Sequence, residues 1–331
     1  MALPRIAISM GDPAGIGPEV ALKAALDARV TGVCVPVLVG DRRVLERHAG
    51  LCGLAPILSV CSKPHELHQG GTNAVRVLDV PMPPGDTAEI GEIRPAHGRA
   101  AVASARAAIQ AALDGHVAAV VAAPQTELAI SEAGIPFDGY PGLVAQCTGT
   151  RPEDVFLMLC FDDRRIAHVT LHIGLRRAIE LVTRKRVSAC IGATWRALLA
   201  MGIAEPRIAV AGLNPHAGEG GLFGDEEVSI IAPAIADARV NCINAEGPFG
   251  ADTMYNRSGY DAFVVMVHDQ GHIPAKLLGE NRTAAVTIGT PVLFSSVAHG
   301  SALDIAGRNM ASPEAVIEAV RRLCGAAGRP S

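Results

Sequence analysis

Short apolar runs rich in Val and Ile alternate with helical segments along the whole chain. Examples are Arg5–Met10, Val35–Val39, His116–Ala123, Arg207–Leu213 and Val264–Val267. Apolar runs of this length are typical of strands buried on both faces, and a strand–helix–strand order favours parallel pairing. Only 3% of the residues are aromatic, so Ala, Val, Leu and Ile must fill the core. We therefore predict an α/β protein with parallel-rich sheets covered by helices.

The length and charge of the chain narrow the class of protein further. A chain of 331 residues exceeds what one hydrophobic core commonly supports, so we expect two domains. The formal charge of -4 argues against a nucleic-acid partner, which would call for a basic surface. The eight cysteines are scattered singly, which indicates a reducing compartment. With neither a leader nor a membrane-length apolar run, we predict a cytoplasmic protein that does not contact a membrane.

Three histidines each follow an apolar run at the point where the sequence turns polar. They are His172, His216 and His268. In open α/β sheets the carboxyl ends of the strands are where ligands bind, and neutral imidazole is a common metal ligand. Three imidazoles would leave coordination positions open for substrate, as in catalytic metal sites. The alternative is that each histidine only caps its own strand.

Several local predictions follow from turn residues and periodicity. Asp162-Asp163 lies between two apolar runs and predicts a hairpin. Residues 175–201 predict a long helical region that breaks at Thr183 and Gly192. Residues 62–94 are polar and rich in Gly and Pro, which predicts a surface meander.

The two ends of the chain carry motifs that resemble one superfamily. The segment Gly11–Val20 resembles the N-terminal segment of the isopropylmalate and isocitrate dehydrogenases, although it lacks the third glycine of a dinucleotide fingerprint. The closing loop, residues 297–308, resembles their adenosine-binding loop, with the pattern H-G-S-A-x-D-I-A-G. The resemblance implies a two-domain fold whose active-site cleft lies between the domains. It also implies that the C-terminus completes the first domain.

This resemblance implies a nucleotide site and the boundaries of the domains. A carboxylate at Asp304 would accept hydrogen bonds from the adenosine ribose and repel a 2′-phosphate, which favours NAD over NADP. Residues 1–130 with 297–331 would form the nucleotide-binding domain, and residues 131–296 a metal-binding and dimerisation domain. The predicted cofactor contacts are Gly15, His299, Gly300, Ser301, Ala302 and Asp304.

Motifs inside the chain resemble the hydroxythreonine-phosphate dehydrogenase family of pyridoxal phosphate biosynthesis, nearly end to end and in order. The motifs are residues 170–172, 212–220, 247–253 and 268–271. The resemblance implies metal ligands at His172, His216 and His268, a nearby carboxylate at Asp252 and a substrate contact at Lys276. It also implies a homodimer in which both subunits contribute ligands. Zinc suits three imidazoles best, and iron, cobalt, nickel and manganese also bind such sites.

The chain departs from that family at its substrate-binding positions. Leu143-Val144 stands where the family has a His-Thr pair, and Ala285 and Phe294 stand where it has Asn and Arg. Burying a phosphate against apolar groups leaves it desolvated without hydrogen bonds, which disfavours a phosphorylated substrate. The same departures resemble a branch that oxidises the cis-dihydrodiol of terephthalate. Residues 168–172 and 268–274, which include His272, match that branch as well.

The resemblance to this branch therefore implies NAD-dependent and metal-dependent oxidation of a carboxylated cis-dihydrodiol, that of terephthalate, with decarboxylation to protocatechuate. Lys276 is the expected acid/base, because a partly buried lysine beside a metal has a lowered pKa, and Asp252 is the second choice. Arg257 and Arg282 are candidate partners of the substrate carboxylates. The alternatives are oxidation of 4-hydroxythreonine 4-phosphate or a phosphorylated four-carbon acid, and a binding protein that has lost catalysis.

Overall fold

The computed structural model describes residues 3–68, 74–86, 88–279, 283–297 and 299–325. These residues form two compact units. The described parts of Met1–Gly149 and Pro291–Ala326 make up the first unit, and Thr150–Thr290 supplies the second. The chain thus leaves the first unit once and returns to it near its end.

The strands are β1 (Arg5–Ser9), β2 (Val35–Gly40), β3 (Leu58–Cys61), β4 (Val75–Asp79), β5 (Ala119–Ala122), β6 (Phe156–Phe161), β7 (Arg164–His168), β8 (Arg207–Ala211), β9 (Asn244–Phe249), β10 (Ala262–Val265), β11 (Ala284–Ile288) and β12 (Phe294–Ser296). The helices are α1 (Gly17–Leu26), α2 (Ala28–Thr31), α3 (Arg42–Leu51), α4 (Pro95–Leu113), α5 (Glu127–Glu132), α6 (Tyr140–Thr148), α7 (Leu175–Leu181), α8 (Arg184–Ala200), α9 (Ala232–Val240), α10 (His268–Gly279) and α11 (Glu314–Leu323).

The first unit contains a parallel sheet in the order β3-β4-β2-β1-β5-β12. The central strands β1, β2 and β5 are almost wholly buried because helices cover the sheet. The core contains Val37, Val39, Ile109 and Val120, with Tyr140 and Phe294 in ring contact at 5.1 Å. The predicted dominance of small aliphatic residues in a helix-covered parallel sheet is confirmed.

The observed division of the chain differs from the boundaries predicted at 130/131 and 296/297. Helix α6 belongs to the first unit because Tyr140, Leu143 and Val144 are buried in its core. Strand β12 belongs there as well, because it pairs with β5. Burial in the first unit therefore places the boundaries at 149/150 and 290/291.

The second unit contains a mixed sheet in the order β11-β6-β7-β10-β8-β9. Strands β11, β6 and β7 pair antiparallel, and β7, β10, β8 and β9 pair parallel. The hairpin predicted at Asp162-Asp163 joins β6 to β7, and Asp162 has the left-handed φ of 44° that such a tight turn requires. The predicted α/β class with parallel-rich sheets is confirmed.

Two local predictions were wrong. The segment 62–94 contains β4, which pairs with both β2 and β3, so it is not only a surface meander. The alternation in Val75-Arg76-Val77-Leu78 was the missed signal. Gly192 lies inside α8 and does not end it, whereas the predicted break at Thr183 is confirmed, since the Thr183 side chain caps α8.

Two expectations from the sequence concerned disulfides and membrane-spanning segments. All eight cysteines are free thiols. Among the described residues, no helix is both long and apolar enough to cross a membrane.

Candidate metal and substrate site

Three neighbouring parallel strands of the second unit each lead into one of the predicted histidines. Strand β10 lies between β7 and β8, and both pairings are parallel. His172 follows β7, His268 follows β10 and His216 follows β8. Because parallel strands end at the same edge of a sheet, the three histidines lie along one edge, as the sequence suggested.

The segment before His172 is fixed to β10 beyond the end of the regular strand. The Thr170 hydroxyl donates to the Met266 carbonyl at 2.7 Å, and the Thr170 amide donates to the same oxygen at 3.1 Å. Both contacts are buried, so the path of the chain into His172 is well defined. His172 itself is exposed.

His268 is the first residue of α10. One hydrogen bond orients its ring, and others hold the turn that carries it. His268 Nδ1 lies 2.7 Å from Asp269 Oδ1, so Nδ1–H donates to the carboxylate and Nε2 is the ring nitrogen that could bind a cation. The Gln270 side chain accepts from the Met266 and Val267 amides at 2.9 and 3.2 Å and donates to the Gly212 carbonyl at 3.0 Å. A carboxylate behind an imidazole is a common arrangement around metal ligands, because it orients the ring and raises its basicity.

The distances between ring centroids indicate which pairs of histidines could bind one cation together. A metal–nitrogen bond of about 2.1 Å places the centroids of two tetrahedral imidazole ligands about 5 Å apart. The centroids of His172 and His268 are 5.6 Å apart with a 48° tilt, which suits a shared cation. His268 and His272 are instead stacked at 3.7 Å and 10°, which would require a ligand–metal–ligand angle of about 70°.

His272 nevertheless belongs to the same cluster. One ring nitrogen from each of His172, His268 and His272 lies within 4.8 Å of the other two. The fourth member is His168, which is 1% exposed and has its Nε2 3.1 Å from His272 Nδ1. We refer to His168, His172, His268 and His272 as the histidine cluster.

Two members of the histidine cluster are held neutral. Burial, together with the neighbouring His272, lowers the pKa of His168 to about 3. Burial, together with the adjacent His268, lowers the pKa of His272 to about 4. At neutral pH both rings therefore each have one N–H donor and one acceptor nitrogen.

His216 lies outside this group of converging nitrogens. Within the described part of the chain, the nitrogens that meet within 4.8 Å do not include those of His216. The reason is the strand order, since β8 is two strands away from β7 and neighbouring strands are about 4.8 Å apart. His216 instead lines an open pocket of about 320 Å³ with Asp252 and Gln270.

The loop that carries His216, residues 212–220, has an uncommon backbone. Five consecutive residues, 216–220, have left-handed φ values between 44° and 78°. Glu227, which is 3% exposed, accepts hydrogen bonds from the Leu213 and Asn214 amides at 2.7 Å each. Burial alone would raise the pKa of Glu227, but the hydrogen bonds from Asn214 and Leu213 outweigh it and lower the pKa. An ionised carboxylate thus anchors the loop.

The two predicted acid/base residues, Asp252 and Lys276, lie on different segments of the second unit. Asp252 is exposed beside His216. Lys276 lies on α10, one turn after His272, and its side chain is exposed, whereas the sequence suggested partial burial. Arg257 is stacked over the Phe249 ring at 4.1 Å, and Arg282 lies outside the described residues.

The predicted nucleotide contacts converge in the first unit. The Ile16 amide donates to the Ser301 carbonyl at 2.8 Å, and a Cβ on Gly15 would lie 2.7 Å from Ser301, so only glycine fits there. Among the described residues, the buried Ser301 hydroxyl has no hydrogen-bond partner. Ala302 has a left-handed φ of 38°. The N-terminal glycine turn and the closing loop therefore meet at Ser301.

Other residues of the closing loop are accessible. Asp304 is exposed on a short 3₁₀ turn, Leu303–Ile305. His299 and Gly300 are exposed, with His299 Nδ1 3.2 Å from the Gly300 carbonyl. The exposed Asp304 carboxylate is therefore accessible to a polar ligand.

His168 and His272 had no assigned role in the sequence analysis. The missed signal was their spacing, because His168/His172 and His268/His272 are each four residues apart. On a helix this spacing puts both side chains on one face, and α10 does so for His268 and His272. The contact between His168 and His272 joins residues 104 positions apart and had no local signal.

Comparison with known proteins identifies the family. The model of the pyridoxal phosphate biosynthetic protein PdxA matches residues 32–323. The chain belongs to the PdxA family. The relatives of this PdxA-family chain are named as dehydrogenases, so the chain is an oxidoreductase of the dehydrogenase type.

The relatives carry different substrate names. A 1,2-dihydroxy-3,5-cyclohexadiene-1,4-dicarboxylate dehydrogenase of Comamonas sp is 41% identical, over 96% of both chains. A Symbiobacterium thermophilum protein named as a D-threonate 4-phosphate dehydrogenase is 40% identical, over 96% of this chain and 95% of its own. The solved 4-hydroxythreonine-4-phosphate dehydrogenase of Klebsiella pneumoniae has a TM-score of 0.85 at 37% identity, covering 97% of this chain and 98% of that one. Overall identity does not separate these substrates for the PdxA-family chain.

Proposed function

We propose that this chain oxidises the cis-dihydrodiol of terephthalate with NAD and a divalent cation, and that the product loses CO₂ to give protocatechuate. The relative at 41% identity, named for 1,2-dihydroxy-3,5-cyclohexadiene-1,4-dicarboxylate, supports this substrate. The observation that carries the choice is the burial of Leu143, Val144 and Phe294, which are 2%, 0% and 0% exposed. The family resemblance places substrate-binding polar residues at these positions, and buried apolar side chains cannot replace their hydrogen bonds to a phosphate.

The proposed cation ligands are His172, His216 and His268, with zinc as the favoured ion. The geometry of His172 and His268 and the carboxylate of Asp269 behind His268 support this assignment. A bound cation would supply a Lewis acid that lowers the pKa of the substrate hydroxyl. Lys276 and Asp252 remain the proposed groups for moving the proton, and NAD would accept the hydride.

The chemistry of the substrate accounts for decarboxylation. Oxidation of the secondary hydroxyl gives a ketone in the β position to the carboxylate on the neighbouring carbon. Loss of CO₂ from that carbon leaves the bonding electron pair on the ring, which converts the ketone into an enolate and makes the ring aromatic. Protonation of the enolate oxygen then gives the catechol. The protein has to bind and orient the diol and keep the carboxylate out of water. Arg257 is the described candidate for holding a substrate carboxylate.

The proposed nucleotide site is the closing loop with the N-terminal glycine turn. Gly15, Ser301 and Ala302 form the close approach, and the exposed Asp304 carboxylate would bind the ribose hydroxyls. A carboxylate there disfavours the 2′-phosphate of NADP. A preference for NAD of at least tenfold in KM is expected, and an equal KM for NADP would contradict this assignment.

The proposed active form is a homodimer in which His216 of each chain completes the site of its partner. His216 lies apart from His172 and His268 within one chain, which supports this arrangement. Two inactive variants, His216→Ala and His172→Ala, should regain activity when mixed by unfolding and refolding. A mixed dimer would have one intact site, so random mixing predicts about a quarter of the wild-type activity. If all ligands came from one chain, every site in the mixture would be defective.

The decisive assay follows NADH absorbance with a panel of carboxylated cis-dihydrodiols, with and without a chelator. Turnover of the terephthalate diol with release of CO₂ and protocatechuate is the expected result. The panel includes 4-hydroxythreonine 4-phosphate and D-threonate 4-phosphate, because the relative at 40% identity favours a phosphorylated acid as the second candidate. Turnover of only a phosphorylated compound would refute the proposed substrate.

A further inference from the structure

Two backbone carbonyl groups determine which ring nitrogens of His168 and His272 carry the proton. His272 Nδ1 lies 3.3 Å from the His268 carbonyl and 3.1 Å from His168 Nε2. His168 Nδ1 in turn lies 3.3 Å from the Leu157 carbonyl. A carbonyl oxygen only accepts, so both Nδ1 atoms carry the proton and His168 Nε2 accepts from His272. His272 Nε2 is therefore left as an acceptor.

The contact between His168 and His272 is built into the fold. A Cβ on Gly271 would lie 2.3 Å from His168 Nε2 and 2.8 Å from Ile166 Cγ2. Only glycine lets α10 approach the buried His168 this closely. His168 is enclosed between α10 and the strands, so it is not free to change partner.

His272 is beside the proposed metal ligands but is poorly placed to be one. Its ring is stacked on His268 at 3.7 Å, so a cation bound to both rings would have an unfavourable ligand–metal–ligand angle of about 70°. One of its nitrogens is nevertheless within 4.8 Å of the nitrogens of His172 and His268. This separation allows one hydroxyl to reach the cation while the hydroxyl on the next carbon reaches His272.

We propose that His272 Nε2 accepts a hydrogen bond from the second hydroxyl of a vicinal diol, the one that is not oxidised. This inference rests on the proposed function and names the feature by which that site selects its substrate. His168 is a positioning residue, because it holds the His272 ring with its acceptor nitrogen available. A substrate with one hydroxyl would leave that nitrogen unpaired.

The test compares ligand binding rather than turnover. Protocatechuate, 3-hydroxybenzoate and 4-hydroxybenzoate are titrated calorimetrically into the zinc-loaded wild type and into His272→Phe, His272→Gln and His168→Phe. The wild type should bind protocatechuate about tenfold more tightly than the weaker monohydroxy ligand, as one hydrogen bond in a shielded site allows. His272→Phe should lose this preference and keep its zinc, and His272→Gln should restore part of it, because its amide oxygen is an acceptor.

His168→Phe and a further variant, Leu277→Ala, separate positioning from a general effect on structure. His168→Phe should reduce the preference severalfold with unchanged zinc content, because His272 loses the partner that holds its ring. Leu277→Ala, at an exposed position of the same helix, is the matched control and should bind all three ligands as the wild type does.

Distinct outcomes would overturn the inference or the proposed function. Loss of zinc from His272→Phe would make His272 a ligand, and an unchanged preference would remove its role in recognition. If the wild type turns over only phosphorylated acids, the proposed function fails. The same comparison with D-threonate 4-phosphate and its deoxy analogues then decides the role of His272, since that acid also has adjacent hydroxyls.

Discussion

Replacement of Glu227 by alanine should release the loop that carries His216. The carboxylate accepts from the Leu213 and Asn214 amides at 2.7 Å and from the Asn214 side chain at 3.0 Å. Gly212 and Gly218 make room for it, since a Cβ at either position would lie 2.9 or 2.6 Å from a Glu227 oxygen. The loop depends on this anchor, because a left-handed conformation costs about 1–2 kcal/mol for each residue that is not glycine.

The expected change in the free energy of opening the loop follows from the hydrogen bonds that Glu227→Ala removes. Removing the carboxylate leaves two partly buried amides unpaired, at about 1–2 kcal/mol each, so the loop should open more easily by about 3 kcal/mol. This corresponds to a loss of about 100-fold in amide-exchange protection across residues 213–220. If His216 is a ligand, metal affinity should fall at least tenfold, because the loop no longer holds the ring in place.

Hydrogen exchange measured by mass spectrometry provides the assay, with zinc affinity from chelator competition as the second readout. Glu226→Ala is the matched control, since among the described residues Glu226 accepts only from the Asn214 side chain, at 2.6 Å. This variant should change protection by less than threefold. If amide-exchange protection in Glu227→Ala stays within threefold of the wild type, the prediction is wrong. The turns of the loop would then maintain its shape without the carboxylate.

Three further predictions concern the histidine cluster. The pKa of His168 is lowered to about 3 from 6.5, so stability present above pH 6.5 should decline as the pH falls towards 3, by up to about 1.4 kcal/mol per unit. In chelator-treated His168→Phe, denaturant titrations should show about 2 kcal/mol less decline between pH 6.5 and 4.5, and an equal decline would contradict this. Asp269→Asn should weaken zinc binding about tenfold, measured by chelator competition, and an unchanged affinity would exclude a role for the carboxylate. Gly271→Ala should destabilise the protein by about 2–3 kcal/mol in denaturant titrations, whereas Gly50→Ala, with open space around it, should not.

Much of the architecture was predictable because burial leaves a local pattern in the sequence. The apolar run at 264–267 indicated a buried strand, and the abrupt change at His268 indicated where it ends. The hairpin at Asp162-Asp163 was predictable for a similar reason, since its turn residues separate two apolar runs. The boundary near residue 130 was not, because α6 has an apolar face that either unit could have covered.

The sequence by itself determined the α/β class, the positions of most strands and the three histidines that follow them, because these depend on short-range alternation of apolar and polar residues. Only the tertiary structure decided the strand order that puts His172 and His268 together and leaves His216 farther along the edge. It also decided that His168, 104 residues before His272, sets the hydrogen-bonding state of that ring. Such contacts depend on which strands and helices pack together, and packing depends on the whole chain rather than on any one segment.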